Sequence, residues 1–205
     1  MPRRKEQASA AVPSYGGCTT SSSGGGRMTY TAHYASPLGD ILIAERGGAL
    51  IGLWIAGQDC ASDLRGETVE ERETPLLRET RAWLSRYFAG EQPAIEELPL
   101  APRGSTFRQR VWKLLCRIPY GATTTYGALA RKVAAETGKS RMSAQAVGGA
   151  VGHNPISIII PCHRVVGAGG SLTGYGGGLP MKIALLEHEG VDMSAFFVPK
   201  HGTKL

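Results

Sequence analysis

From residue 30 onward, hydrophobic and polar positions fall into short runs whose period changes along the chain. Three β-like runs, 30–35, 41–45 and 50–55, are separated by Pro37-Leu38-Gly39-Asp40 and Gly47-Gly48, turn sequences that fit hairpins. Over 74–88 the period lengthens. Leu77, Thr80, Leu84 and Tyr87, with Leu76, Trp83 and Phe88, make a helical stripe closed by Gly90. The pattern predicts a small antiparallel sheet with one helix, followed by a Pro- and Glu-rich linker over 92–103.

The second half reads as helical. Ser105 is an N-cap for a helix with apolar positions Phe107, Val111, Leu114, Leu115 and Ile118, stopped by Pro119-Tyr120-Gly121. Thr125 caps a helix over 126–136 that ends at Gly138. After Lys139 and Arg141, residues 143–151 form another short helix, and the pair reads as helix-turn-helix. This last helix holds Gly148-Gly149, each glycine costing roughly 1 kcal/mol relative to Ala, so a neighbouring helix or nucleic acid is expected to approach it closely. Beyond Asn154-Pro155, the apolar run 156–160 predicts a buried strand that delivers Cys162. A glycine-rich loop over 167–178 carries Tyr175, and Pro180 and Gly190 bracket a final helix over 181–189.

Composition narrows the class. The chain has 205 residues, 42% hydrophobic and 20% charged, values of a soluble globular protein. No apolar run approaches the roughly 20 residues that span a bilayer, and the basic start lacks the apolar core of a secretory signal. A cytoplasmic protein without membrane partners is expected. Residues 1–28 read as a disordered Ser/Gly-rich tail, 29–102 and 103–195 as two folded parts, and 196–205 as a C-terminal tail. Cys18, Cys60, Cys116 and Cys162 are scattered without a CxxC pair, which argues against a disulfide framework or zinc site; no metal or cofactor is implied.

Charge is segregated. Residues 1–27 carry net +3, 28–102 net −6 and 103–205 net +9, giving +6 overall. An acidic half followed by a strongly basic one points to a polyanionic substrate. The basic half holds Cys162 beside His163 and Arg164. An unperturbed thiol, pKa about 8.5, is only a few per cent ionised at neutral pH, and a hundredfold gain in thiolate needs ~2.7 kcal/mol. Cationic neighbours are expected to supply it by depressing the pKa.

Pro161-Cys162-His163-Arg164-Val165, preceded by Asn154-Pro155 and followed by Gly174-Tyr175 and His188-Glu189-Gly190, resembles the O6-methylguanine-DNA methyltransferase family. The resemblance runs from about residue 30 to 191 and includes Phe107-Arg108-Gln109-Arg110-Val111-Trp112, Ile118-Pro119-Tyr120-Gly121 and Thr125-Tyr126-Gly127. It implies a two-domain α/β protein: a ribonuclease-H-like N-terminal domain, then a C-terminal helical domain with a winged-helix-type helix-turn-helix. It further implies minor-groove binding and extrusion of the damaged base, whose O6 is otherwise inside the stack.

The same resemblance implies roles. Cys162 accepts the alkyl group, His163 takes the thiol proton through a water, and Glu189 orients the imidazole, in the logic of a catalytic triad. Asn154 braces the turn before the cysteine. Tyr126 helps rotate the nucleotide and protonates the base as O6 leaves, while Tyr175 forms a pocket wall. Backbone carbonyls near Cys162 and Val165 recognise the guanine amino group, and Arg164 supports the site. Ala144, Gln145, Gly148 and Gly149 meet the DNA. Two positions depart from the pattern. Gln145 stands where an arginine often fills the gap left by the flipped base, and Gly176 stands where some relatives carry serine, which implies a wider pocket.

A thioether has no easy hydrolysis route, so each molecule is expected to act once. The implied partner is double-stranded DNA bearing O6-alkylguanine or O4-alkylthymine, bound by a monomer that is nucleoid-associated on DNA. Two readings compete: a non-catalytic alkyltransferase-like damage sensor, in which the nucleophile is commonly replaced by Trp, and a cysteine hydrolase using Cys-His-Glu.

Overall fold

The computed structural model describes residues 28–199. The expected tails lie outside these residues except for Met28 and 196–199, where Phe197 forms a parallel bridge to Ser171. Three strands build the N-terminal sheet: β1 (Thr29–Ser36), β2 (Gly39–Arg46) and β3 (Ala49–Ile55), paired antiparallel in sequence order. Gly47 and Gly48 both have positive φ, 62° and 79°, as the tight β2–β3 turn requires. A fourth strand, β4 (Val69–Glu71), lies parallel to β1, so the sheet order is β3-β2-β1-β4. Helix α1 (Pro75–Phe88) packs on this sheet through Leu76, Leu77, Thr80, Trp83, Leu84 and Tyr87, and Thr74 caps it by accepting from the Leu77 amide.

The C-terminal part is helical, with α2 (Thr106–Leu115), α3 (Tyr126–Glu136), α4 (Ala144–Gly152) and α5 (Leu179–His188). Ser105, Thr125 and Ser143 each accept from a backbone amide of the first turn. A two-residue parallel pair, β5 (Thr124–Thr125) with β6 (Val165–Val166), ties the start of α3 to the segment after Cys162. Helices α3 and α4 pack together and both contact α2. Among the described residues no helix is long and apolar enough to cross a membrane.

The two parts share one core, which runs from Ile41, Ile43 and Leu53 through Leu84 to Val111, Trp112, Ile159 and Leu185. The free edge of β3 is covered by two passing segments. Leu50 bridges to Leu100 of the expected linker, and Leu53 bridges to Ile156. The sheet edge is thereby protected and the segment before the cysteine is pinned to it.

That segment corrects the strand expected over 156–160. Only Ile156 pairs, and the chain then turns on itself. The Ile159 amide donates to Ser157 O at 2.8 Å around Ile158, whose φ is +67°. This is a γ-turn with the left-handed φ that β-branched residues rarely adopt. A second turn follows at Pro161 (φ −81°, ψ 67°), where the Cys162 amide donates to Ile160 O at 2.8 Å. The run is apolar because Ile156, Ile158, Ile159 and Ile160 are all buried in the shared core. A short apolar run cannot be told from other buried backbone by its period.

Candidate active site

Cys162 opens a single 3₁₀ turn (Cys162–Arg164) and is buried. Asn154 organises the approach to it. Its Nδ2 donates to Ile160 O (2.8 Å), Ile156 O (3.2 Å) and Cys162 Sγ (3.1 Å), while its Oδ1 accepts from the Ile156 amide (3.1 Å). One side chain therefore fixes both turns and the thiol.

Glu189, at the C-terminal end of α5, collects five donors. Its Oε1 accepts from His163 Nε2 (2.8 Å), Arg164 Nη2 (2.9 Å) and the Tyr87 hydroxyl (2.9 Å); its Oε2 accepts from Arg164 Nε (2.8 Å) and the Gly121 amide (3.2 Å). Gly121 has φ +70°, and a Cβ there would lie 3.0 Å from the Glu189 carbonyl, so the Pro-Tyr-Gly turn needs glycine to come this close. Burial alone would raise the Glu189 pKa, but the His163 and Arg164 hydrogen bonds and charges bring it down to about 2. The carboxylate is ionised and accepts only. His163 must therefore donate from Nε2, which leaves Nδ1 as the acceptor. Nδ1 is buried and has no hydrogen-bond partner among the described residues.

The electrostatics correct the expected thiolate. Burial pushes the Cys162 thiol up, and the Asn154 hydrogen bond, the Lys182 charge and nearby backbone amides offset this only in part. Burial also depresses the His163 pKa, so the imidazole is neutral. Arg164 spends its charge on Glu189 and its Nη1 on Ile118 O (2.6 Å). It is buried, with its guanidinium committed to Glu189 and Ile118. The resting thiol is protonated, and a base has to ionise it.

Lys182 was not apparent from the sequence. On α5 it is fully buried, and its Nζ donates to Val165 O (2.5 Å), Thr173 O (2.9 Å) and Gly174 O (3.4 Å). Burial brings its pKa down to about 8, against the opposing pull of Cys162. Tyr87 and Gln58 were also missed as site residues. Tyr87 read as one more member of a helical stripe, and Gln58 belongs to no motif.

The Tyr126 hydroxyl donates to the same loop, to Thr173 O (3.2 Å) and Gly174 O (3.3 Å), and burial followed by the Cys162 charge pushes it up to about 12. Val165 is buried, with its carbonyl accepting from Lys182. A narrow cavity of about 20 Å³ beside Cys162 is lined by Gln58, Asn154, Ser157, Tyr175 and Gly176, among others. It has room for one water or a methyl-sized group. The space beside Gly176 is bounded by Gln58, whose Nε2 would stand 3.5 Å from a Cβ at that position.

On α4, Ala144, Gln145 and Ala146 are exposed, and Val147, Gly148, Ala150 and Val151 face the protein. The two glycines divide. Gly148 is buried within the helical packing, whereas a Cβ on Gly149 or Gly152 would meet no protein atom within 4 Å. Apart from Gln145, the exposed residues of this helix are small.

A ribonuclease-like sheet domain and a helical DNA-binding domain, with a cysteine backed by His and Glu between them, form a recognised class of protein. Residues 29–102 match the family model described as "6-O-methylguanine DNA methyltransferase, ribonuclease-like domain", and residues 106–191 match "6-O-methylguanine DNA methyltransferase, DNA binding domain". The chain belongs to the 6-O-methylguanine DNA methyltransferase family. It is 39% identical over 160 residues to the methylated-DNA–protein-cysteine methyltransferase of Haemophilus influenzae, spanning 78% of this chain and 86% of that one. It is 45% identical over 161 residues to the Mycobacterium tuberculosis protein of the same name, spanning 75% and 88%. The crystal structure of Mycobacterium tuberculosis OGT in complex with DNA superposes with a TM-score of 0.67 at 41% identity, covering 82% of this chain and 94% of that one.

Proposed function

We propose that this protein repairs DNA by moving an alkyl group from O6 of guanine to its own Cys162, once per molecule. The observation that carries the reading is the buried thiol held by Asn154 beside a neutral imidazole whose Nε2 is committed to Glu189. His163 Nδ1 lifts the proton from Sγ through a water. The thiolate attacks the alkyl carbon, the C–O6 bond breaks, and its electron pair stays on guanine. The base takes up a proton, matching the one removed from the thiol, so the reaction balances without an outside reagent. Burial keeps the Tyr126 hydroxyl protonated, which supports it as the donor of that proton, made good by the one His163 took from the thiol, and the Val165 carbonyl has a second lone pair for the guanine amino group.

DNA approaches the outer face of α4, where Gly149 leaves the backbone open and Gln145 enters the stack in place of the extruded base. Tyr175 and Gly176 line the side of the pocket that meets the base. The partner is double-stranded DNA carrying O6-alkylguanine, bound by a monomer in the cytoplasm and on the nucleoid. The non-catalytic sensor reading is disfavoured by Cys162 itself and by the complete set of groups arranged around it.

The test is incubation with duplex DNA bearing radiolabelled methyl at guanine O6. One equivalent of label moving to protein, and none to Cys162→Ser, is the expected result. Binding without transfer would establish a sensor instead, and repeated turnover of a thioester a hydrolase.

A further inference from the structure

Gln58 follows β3 in the N-terminal part, yet its side chain lines the cavity beside Cys162. Its orientation is determined by its partners. Oε1 accepts from the Ile55 amide at 2.8 Å and from the Ser157 hydroxyl at 3.0 Å. An amide N–H can be matched only by the carbonyl end of the side chain, so Nε2 faces the other way. There it stands over Gly176, 3.5 Å from where a Cβ would be. Among the described residues none accepts a hydrogen bond from it.

The other polar groups around this cavity are mostly committed. Asn154 holds two carbonyls and the thiol, and Ser157 donates to Gln58. The Tyr175 hydroxyl is buried against the Ser157 side chain. A directed amide donor is therefore free beside the nucleophile, in the space that glycine at 176 leaves open.

We propose that Gln58 is a specificity-determining residue, whose Nε2 donates a hydrogen bond to the base oxygen that loses the alkyl group. This rests on the reading of Cys162 as the alkyl acceptor. As the C–O6 bond breaks, negative charge grows on that oxygen, and a donor held there by Ile55 and Ser157 stabilises the transition state more than the bound substrate. Gln58 passes no proton and forms no bond. Its place in the N-terminal part makes that part a direct contributor to the reacting end of the pocket.

The test is single-turnover methyl transfer from duplex DNA containing O6-methylguanine. Gln58→Ala is expected to slow transfer at least tenfold. Gln58→Glu keeps an acceptor for Ile55 and Ser157 but replaces the donor, and is expected to be at least as slow. Adding Gly176→Ser to Gln58→Ala puts a hydroxyl donor in the vacated space and is expected to restore most of the rate. The rate at which iodoacetamide modifies Cys162 is expected to stay within twofold of wild type in Gln58→Ala and in the double variant. Wild-type transfer rates in Gln58→Ala or Gln58→Glu would overturn the proposal, and so would an equal loss in the iodoacetamide rate of Gln58→Ala. If the unaltered protein transferred no methyl group, the reading of Cys162 would fail instead.

Discussion

The Tyr87 hydroxyl donates to Glu189 Oε1 at 2.9 Å across 102 residues of sequence, meeting the oxygen that also receives His163 Nε2 at 2.8 Å. Helix α1 of the N-terminal part thus closes the hydrogen-bond shell of the carboxylate that orients the imidazole. Burial and the adjacent carboxylate push the Tyr87 pKa far up, so the hydroxyl stays a donor throughout the working range.

Tyr87→Phe is therefore expected to cost about 1.5–3 kcal/mol, the range for a hydrogen bond to a charged group. With one donor fewer, Glu189 holds the His163 proton more strongly, and the acid limb of the transfer rate moves to higher pH. Urea denaturation and a pH–rate profile check the two parts. A stability loss without a shift of the acid limb would assign Tyr87 to packing alone.

Stability should fall in acid for two reasons of the same sign. Glu189 titrates at about 2 in the folded protein against 4.5 ordinarily, so its contribution is complete above 4.5 and is lost as pH falls toward 2. The difference corresponds to about 3 kcal/mol. His163, depressed below 6.5 by burial, adds a loss beginning near that value, because the unfolded chain binds the proton first. Denaturation free energies from pH 7 to 3 are expected to show both, with Glu189→Gln less stable at neutral pH and flatter below 4.5.

Asn154→Ala removes the donor to Sγ and strands the Ile156 amide, which donates to Asn154 Oδ1. A loss of about 1–3 kcal/mol is expected, together with a higher thiol pKa. Asn154→Asp should be worse for the thiol, since it sets a carboxylate where the thiolate forms. The pH dependence of Cys162 alkylation by iodoacetamide reads the thiol directly; an unchanged midpoint in both variants would contradict the assigned hydrogen bond.

Lys182 is cationic below about 8 and lends its charge to the thiolate. Transfer should therefore decline above pH 8, giving a bell with His163 protonation on the acid side. Lys182→Met is expected to lose the basic limb and at least tenfold in rate at pH 7.5, because the ammonium also holds the Val165, Thr173 and Gly174 carbonyls. A basic limb that survives the substitution would locate it on another group.

Features set by near neighbours in the chain were legible from residues alone. Ser105 and Thr125 cap the helices they precede, since a cap needs only the next three residues, and Thr74 and Ser143, which read as the first residues of their helices, cap theirs in the same way. Strand β4 escaped notice because Val69-Glu70-Glu71 has no alternation to read; its pairing with β1 makes it a strand. Residues 156–160 looked like a strand because burial from every side and burial in a sheet leave the same apolar run.

What the sequence by itself determined is the local order of elements, the identity of the nucleophile, and the family to which its motif belongs. Tertiary structure alone decided the state of that nucleophile. Adjacency to His163 and Arg164 promised positive charge, but in a low-dielectric interior the arginine is neutralised by Glu189 and the imidazole stays uncharged, so Cys162 rests as a thiol. Tyr87, Lys182 and Gln58 reach the site from distant stretches of chain. Such distances are set by how the shared core packs, which no local pattern records.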